Sequence, residues 1–428
     1  MSSPISSNPH LPSFAKLALS LLSFSPQQNV TTAELPDIDW TRMLQFCDRT
    51  QLTLPVALRA SARLPSPVVA RLERNLRDNT KRWDGIKQLH RELRAAFESA
   101  GLEFLVLKGF SHCPSFAEDP RFRVQYDLDL LFRRDRLGRA YEITCDFGYE
   151  PLRGFEAVPL DHLPAMVKKT GWEWKGDYFD VEMPLSIELH FRLWDAETEG
   201  FEISGLESFW TRRQLRTFEE LHFAAFDPLD TIAYATLHLV RHLFRGDVRL
   251  FHVYEIASLL HRTRDDADFW EAWRGRHHES VRRVSLISFA LAHRWFACTL
   301  PPAVNEAMQE LPVEVRRWLH VHGDSPLTGL FRPNKNELWL HWNLISSPRR
   351  RMAIMGRRLI PERLAGPVDP VNLTKEQLTW RVQLRARWRY ASFLVQRTFH
   401  HLRTLPGAVL SGARWFTGQT AADAAARD

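Results

Sequence analysis

The chain of 428 residues lacks three things that would have narrowed its class at once: a cysteine framework, a basic leader and a long apolar run. Cys47, Cys113, Cys145 and Cys298 are scattered, with no C-x-x-C pair. That excludes a disulfide scaffold or a cysteine zinc site as the organising feature and makes a reducing compartment the default. The opening stretch, MSSPISSNPHLPSFAKLALSLLSFSPQQ, holds one short apolar run without the basic segment of a secretory signal. It also falls short of the ~20 apolar residues of a membrane span. A cytoplasmic protein is expected. No repeat, low-complexity tract or H-E-x-x-H motif occurs. What is present is ordinary for a globular chain, 44% hydrophobic and 25% charged, with length enough for two or three domains.

Charge is unevenly spread. Thirteen Lys/Arg against Glu362, Asp369 and Glu376 give +10 between Arg349 and Arg403, which leaves −4 for the rest of a chain whose net charge is +6. Trp380, Trp388, Phe393 and Phe399 interleave with these arginines. The region is open to three readings: a solvated helical face, a seat for an anionic partner such as RNA, or a contact with an acidic membrane surface.

Hydrophobic periodicity divides the chain. Residues 12–100 carry apolar positions at helical spacing and end at Gly101, a C-terminal cap. The period then changes. EFLVLK (103–108) reads as a buried strand running into a turn at Gly109, DLDLLF (127–132) as a second strand, and 134–148 as a helix closed by Gly148. One or two further strands are expected in 178–194, and helices from Asp227 onward, with a break at Pro301 and Pro302. The last dozen residues read as a frayed tail. The expected organisation is an N-terminal helical segment (1–95), a small mixed-sheet α/β core (96–225), a helical domain (226–310) and a basic helical region (311–428).

Asp127 and Asp129 sit two apart in an otherwise apolar strand, so they share one face while Leu128 and Leu130 take the other. Adjacent carboxylates repel and resist burial unless a cation compensates. Mg²⁺, which takes hard oxygen ligands, is the natural one. An isolated D-x-D is most often a solvated edge; three neighbours argue otherwise. A strand runs into a Lys108–Gly109 turn that lets backbone N–H groups approach phosphate. Arg123 lies four residues before Asp127. In SIELHFRLW, Glu188, His190 and Arg192 alternate with Ile187, Leu189 and Phe191, which offers Glu188 as a third carboxylate on a neighbouring strand. The repulsion itself predicts that Asp129→Asn leaves the metal-free protein as stable as before, or more so.

The order LKG (107–109), RVQYDLDLL (123–131), GY (148–149) and ELH (188–190) resembles the uncharacterised bacterial nucleotidyltransferase family of the polymerase-β-type superfamily. HLVRHLF and LFHVYEIASLL resemble that family's helical histidine region, with Glu255 where an aspartate is common. Phe110 follows Gly109 where the superfamily commonly has a small hydroxyl residue, and Ser111 comes one position later.

The resemblance implies a nucleotidyltransferase core flanked by helices and transfer of a nucleoside monophosphate from an NTP to a hydroxyl acceptor (small molecule, sugar, protein or RNA end). It assigns Asp127, Asp129 and Glu188 as ligands of two Mg²⁺ ions. Lys108, Gly109, Ser111, Arg123 and His190 become candidate nucleotide contacts, the cations on the triphosphate. His238 and His242, one turn apart, are assigned to packing or acceptor contact rather than metal. Asp180 and Glu182 in FDVEM lack an upstream glycine turn and are expected on a solvated hairpin. The alternative class is a non-catalytic protein of the same fold, acting as a partner or nucleic-acid adaptor.

Overall fold

The computed structural model describes residues 8–25, 37–152, 161–359, 373–374 and 376–417. Helices α1 (Ser13–Leu22), α2 (Asp37–Thr50), α3 (Thr53–Ala60) and the long α4 (Ser66–Ser99) lead into a five-stranded mixed sheet. Its strands are β1 (Phe104–Val106), β2 (Asp127–Phe132), β3 (Tyr149–Pro151), β4 (Met166–Lys168) and β5 (Ser186–His190), in the order β1-β2-β5-β4-β3. Helix α5 (Leu137–Asp146) joins β2 to β3, and a short α6 (Ala196–Glu199) follows β5. A hairpin of β6 (Gln214–Phe218) and β7 (Leu221–Ala225) precedes α7 (Pro228–Arg245) and α8 (Leu250–Arg262). Further helices continue to Leu359, and one long helix covers Trp380–Thr417.

The alternation of β2 and β5 builds the sheet. Leu128, Leu130 and Phe132, with Ile187 and Leu189, form one core with Trp83, Ile86, Leu93 and Phe97 of α4 and Ile143 of α5. Burying each such side chain contributes roughly 1.5–3 kcal/mol. On the opposite face Leu105, Leu107 and Leu131 pack with Phe226 and Tyr234. Helix α7 thereby lies across the face that carries the aspartates. Its start is fixed by Asp227, which accepts from the Leu229 N–H at 2.9 Å, with Pro228 at the first position. Gly246, at φ +71°, ends it. A larger apolar core draws Leu17, Leu21, Trp40 and Leu44 of the first helices together with Leu237, Phe289 and Trp318.

Three expectations shift. The strand expected over 103–108 is limited to Phe104–Val106, because the chain turns at Lys108–Gly109. Residues 178–194 supply one strand, Ser186–His190, within the one or two expected. Asp180 lies not on a hairpin strand but in a turn, where it accepts from the Glu182 N–H at 3.0 Å and the Trp172 indole at 2.8 Å. The β6–β7 hairpin was not expected; its loop is Glu219–Glu220, with Glu219 at φ +50°, and carries none of the usual turn residues. All four cysteines are free, the break before Pro302 is present, and the expected frayed tail falls, except for Thr417, outside the described residues.

Leu189 is fully buried between the strands and α4. Leu189→Ala is expected to lower stability by about 2–5 kcal/mol, read from the shift of the urea-unfolding midpoint at constant slope. A loss below about 1 kcal/mol would mean this core is not what holds the sheet.

Candidate active site

β2 and β5 run parallel, with Asp127 opposite Ser186, Asp129 opposite Glu188 and Leu131 opposite His190. Parallel register with equal phase puts Asp127, Asp129, Glu188 and His190 on one face. The three carboxylates expected from the sequence therefore share a surface. Atoms of Asp129, Glu188 and His190 that could ligate a metal lie within 4.8 Å of one another.

Cations accompany the charge. Lys108 Nζ lies 2.8 Å from Asp129 Oδ1. His190 Nε2 is 3.1 Å from the same oxygen and 3.4 Å from Glu188 Oε2, while its Nδ1 faces Asp161 Oδ2 at 3.3 Å. Arg241 of α7 pairs with Asp161 from the other side. Burial alone would drive the imidazole toward its neutral form. Tyr234 and the three carboxylates reverse this and hold the His190 pKa well above its ordinary value. Burial would likewise raise the Asp129 carboxyl, but Lys108 and His190 hold it well below the usual range. Glu188 is lowered, against its own burial, by His190 in the same way. Asp127 behaves oppositely: burial, then the neighbouring Asp129, push it up from 3.8 to about 7. Among the described residues it has no cationic partner within ion-pair distance.

The glycine turn is built as the chemistry requires. Gly109 has φ +71°, and a Cβ there would fall 2.3 Å from the Gln125 side-chain amide. That amide donates to the Asp127 carbonyl at 2.6 Å, so the turn and the start of β2 are locked together. Leu107 N–H donates to Asp129 O at 3.0 Å, which sets Lys108 beside Asp129. Phe110 takes the position after the glycine because it is core: fully buried, it meets Trp83 and Phe223 at ring-centroid distances of 5.8 and 4.9 Å.

These groups line a polar cleft of about 140 Å³ whose walls include Lys108, Gly109, Arg123, Asp127, Asp129 and Glu188. Two expected contacts do not reach it. The Ser111 hydroxyl is buried and donates to the Lys108 carbonyl at 3.1 Å. His190 is fully buried beneath the carboxylates. Arg123 lines the cleft with its guanidinium engaged, Nε donating to Glu255 Oε1 at 2.8 Å and Nη2 to Oε2 at 3.3 Å, while His112 approaches the same carboxylate at 3.4 Å. Glu255 is thus the counterion of Arg123.

The opposite wall carries His238 and His242, the pair expected at packing or acceptor contact, together with residues not expected individually. His238, Arg241, His242 and Arg245 recur at helical spacing along α7, and Arg249 and His252 follow at the start of α8. Arg241 donates to His238 Nδ1 at 3.0 Å, which fixes that ring as an acceptor. Burial, and then nearby cations, keep His238 and His252 well below the ordinary histidine pKa; the histidine wall is neutral. The exposed Arg249 has no carboxylate partner among the described residues. Asp161 and His162 come from a loop held along β5 by the bonds Leu163 N–H to Leu189 O (3.0 Å) and Phe191 N–H to Asp161 O (3.1 Å). The helical stripe was visible in HLVRHLF; Asp161 had no sequence signal.

A family described as uncharacterised nucleotidyltransferase matches residues 36–297 of the chain. The chain belongs to this family. Membership assigns it a role in nucleotidyl transfer, and the matched span runs from α2 through the cleft to the helix that ends at Phe296. Comparison with curated proteins and with solved structures finds no match. Among the described residues no helix is long and apolar enough to cross a membrane.

The charge pattern corrects the expectation for Asp129. The repulsion rests on Asp127, whereas Asp129 is offset by Lys108 and His190. In EDTA, Asp129→Asn is therefore expected to cost about 3–5 kcal/mol, because it strands buried cations. Asp127 titrates near 7 when folded against 3.8 ordinarily, so its ionisation opposes the fold from about pH 4 upward and fully above about pH 7. Asp127→Asn is expected to raise the melting temperature, and by more at pH 8 than at pH 5. An equal or smaller gain at pH 8 would contradict this assignment.

Proposed function

We propose that the cleft transfers a nucleoside monophosphate from an NTP to a hydroxyl acceptor. The observation that carries this reading is the parallel register setting Asp129 opposite Glu188 on the face reached by the Lys108–Gly109 turn. The donor set fits Mg²⁺: three carboxylates, one of them, Asp127, without an ion-pair partner among the described residues. Asp127, Asp129 and Glu188 would hold two Mg²⁺ ions, which when bound would supply charge neutralisation at the phosphate oxygens and lower the acceptor's pKa.

The protein groups do the rest by position. His190, protonated and buried under the carboxylates, orients Asp129 and Glu188 rather than touching nucleotide. Lys108 and Arg249, which has no carboxylate partner among the described residues, grip the phosphates that leave as pyrophosphate. The acceptor oxygen forms its bond to the α-phosphorus as the bond to pyrophosphate breaks. Its proton passes to Glu188, with His162 Nε2 3.8 Å beyond. A volume of about 140 Å³ suits the phosphates rather than a whole nucleotide. An adjoining cavity of about 760 Å³ shares Arg249 and is lined by Phe46, Trp174, Tyr178 and Phe331. It offers aromatic surface for the base or the acceptor.

Incubation with each α-labelled NTP, Mg²⁺ and cell extract is expected to label an acceptor with the wild type and not with Glu188→Gln. The wild type is also expected to gain thermal stability from Mg²⁺–NTP. No label from any of the four NTPs, together with no thermal shift, would favour the non-catalytic alternative.

The two arginines separate by role. Arg249→Ala is expected to weaken NTP binding about tenfold, or about 1.4 kcal/mol, with the melting temperature unchanged. Arg123→Ala is expected to destabilise the fold by about 3–5 kcal/mol, because Glu255 is left buried without its partner. Calorimetric titration and thermal melts of both variants read this directly; an exchanged pattern would return Arg123 to the triphosphate.

A further inference from the structure

The helix Trp380–Thr417 has seven arginines and no acidic residue. Its C-terminal part is fastened to the body. Trp339 Nε1 donates to Ser411 Oγ at 3.1 Å, Ser411 Oγ donates to Asn336 Oδ1 at 2.6 Å, and Thr404, Ala408 and Trp415 are buried. The other side faces outward and is not polar. Trp380, Leu384, Trp388, Val395, Phe399 and Leu402 recur at steps of three, four or seven residues and are 51–72% exposed. On a helix those steps fall on one stripe. Arg385, Arg389 and Arg403 run along one edge of the stripe and Arg387 along the other, none with a carboxylate partner among the described residues. Three of the five arginines of the preceding helix, Pro348–Leu359, are different: Arg358 is paired with Glu337, Arg351 donates to the Ile345 carbonyl and Arg357 to the Thr198 carbonyl.

We infer that this helix is an interfacial anchor, which lays its Trp/Leu/Phe stripe into an anionic lipid surface with the flanking arginines on the headgroups. Three occupants compete for an apolar stripe edged with cations. A second copy paired along it would bring arginines against arginines, with no acidic side chain in the helix to offset them. A nucleic acid would satisfy the arginines and leave Trp388, Val395 and Phe399 in water. An anionic bilayer satisfies both: the rings and aliphatic side chains reach the acyl boundary, and the guanidinium groups meet phosphate and carboxylate headgroups. The helix lies on the surface rather than crossing it, in keeping with its seven charges. This inference is independent of the reaction in the cleft.

Co-flotation of the full chain with vesicles tests it. Binding is expected to phosphatidylcholine vesicles carrying about one-third phosphatidylserine and not to phosphatidylcholine alone, and to weaken as salt rises. Trp388→Glu with Phe399→Glu, both at exposed positions, is expected to reduce vesicle binding at least roughly tenfold with an unchanged melting temperature. Arg385→Gln with Arg389→Gln should reduce it on anionic vesicles. Absence of binding to anionic vesicles, or binding that neither double variant weakens, overturns the inference. So does a vesicle-free dimer in light scattering that Trp388→Glu with Phe399→Glu abolishes, which assigns the stripe to a second copy. Single-stranded RNA bound more tightly than vesicles, and lost with the arginines but not with the aromatics, overturns it in favour of nucleic acid.

Discussion

Placing Asp129 and Glu188 at the same level of two parallel neighbouring strands is the constraint on which the site depends, because it concentrates negative charge in a face that the fold must cover. At 4 Å, two unit charges in a partly buried setting repel by about 4 kcal/mol. The fold meets this with one cation for each acidic level, each delivered by a different element. The turn after β1 brings Lys108, β5 itself brings His190 two residues beyond Glu188, and α7 brings Arg241 to Asp161. Mutual compensation of this kind turns repulsion into a network, and it explains why the chain holds the sheet, the glycine turn and α7 in one fixed relation.

Asp127 is the exception that gives the network a direction. Its neighbours Asp129 and Glu188 are already served, so its carboxyl is pushed up instead of paired. The histidines of the opposite wall supply no counter-charge, because burial, with Lys108 among the nearby cations, holds His238 and His252 well below the ordinary histidine pKa; of its arginines, Arg241 is paired with Asp161 and Arg249 acts on Asp127 without forming an ion pair. Among the described residues Asp127 is therefore left without an ion-pair partner, and Arg249, which lines the same cleft, has no carboxylate partner among them.

Much of this was legible in the residues. Alternation in DLDLLF and SIELH, together with the family's motif order, assigned Asp127, Asp129 and Glu188 to one face, and the strand–lysine–glycine order placed Lys108 beside them. What escaped had physical causes. Arg123 was assigned to phosphate on proximity along the chain, yet Glu255, 132 residues later, reaches it through the fold of α8. Asp161 lies in an irregular loop whose position is set by backbone bonds to β5, for which a sequence carries no period. The strands β3 and β4 are three residues each, too short for alternation to show.

The roles of Lys108 follow from the same balance. In the metal-free protein its ammonium is needed at Asp129, 2.8 Å away, and burial has not neutralised it because that carboxylate, with Asp127 and Glu188 behind it, holds the proton on. Were a divalent ion to offset the acidic face, the reason for that pairing would weaken while the charge on lysine would remain. A side chain on a flexible stem at the lip of a glycine turn can then turn to phosphate without leaving a carboxylate uncompensated. His190 has no such freedom: fully buried, with acidic partners at both ring nitrogens, it stays as the fixed cation under the site. The network thus contains one cation held by carboxylates at both ring nitrogens, His190, and one held at a single carboxylate on a flexible stem, Lys108, and the division follows from burial.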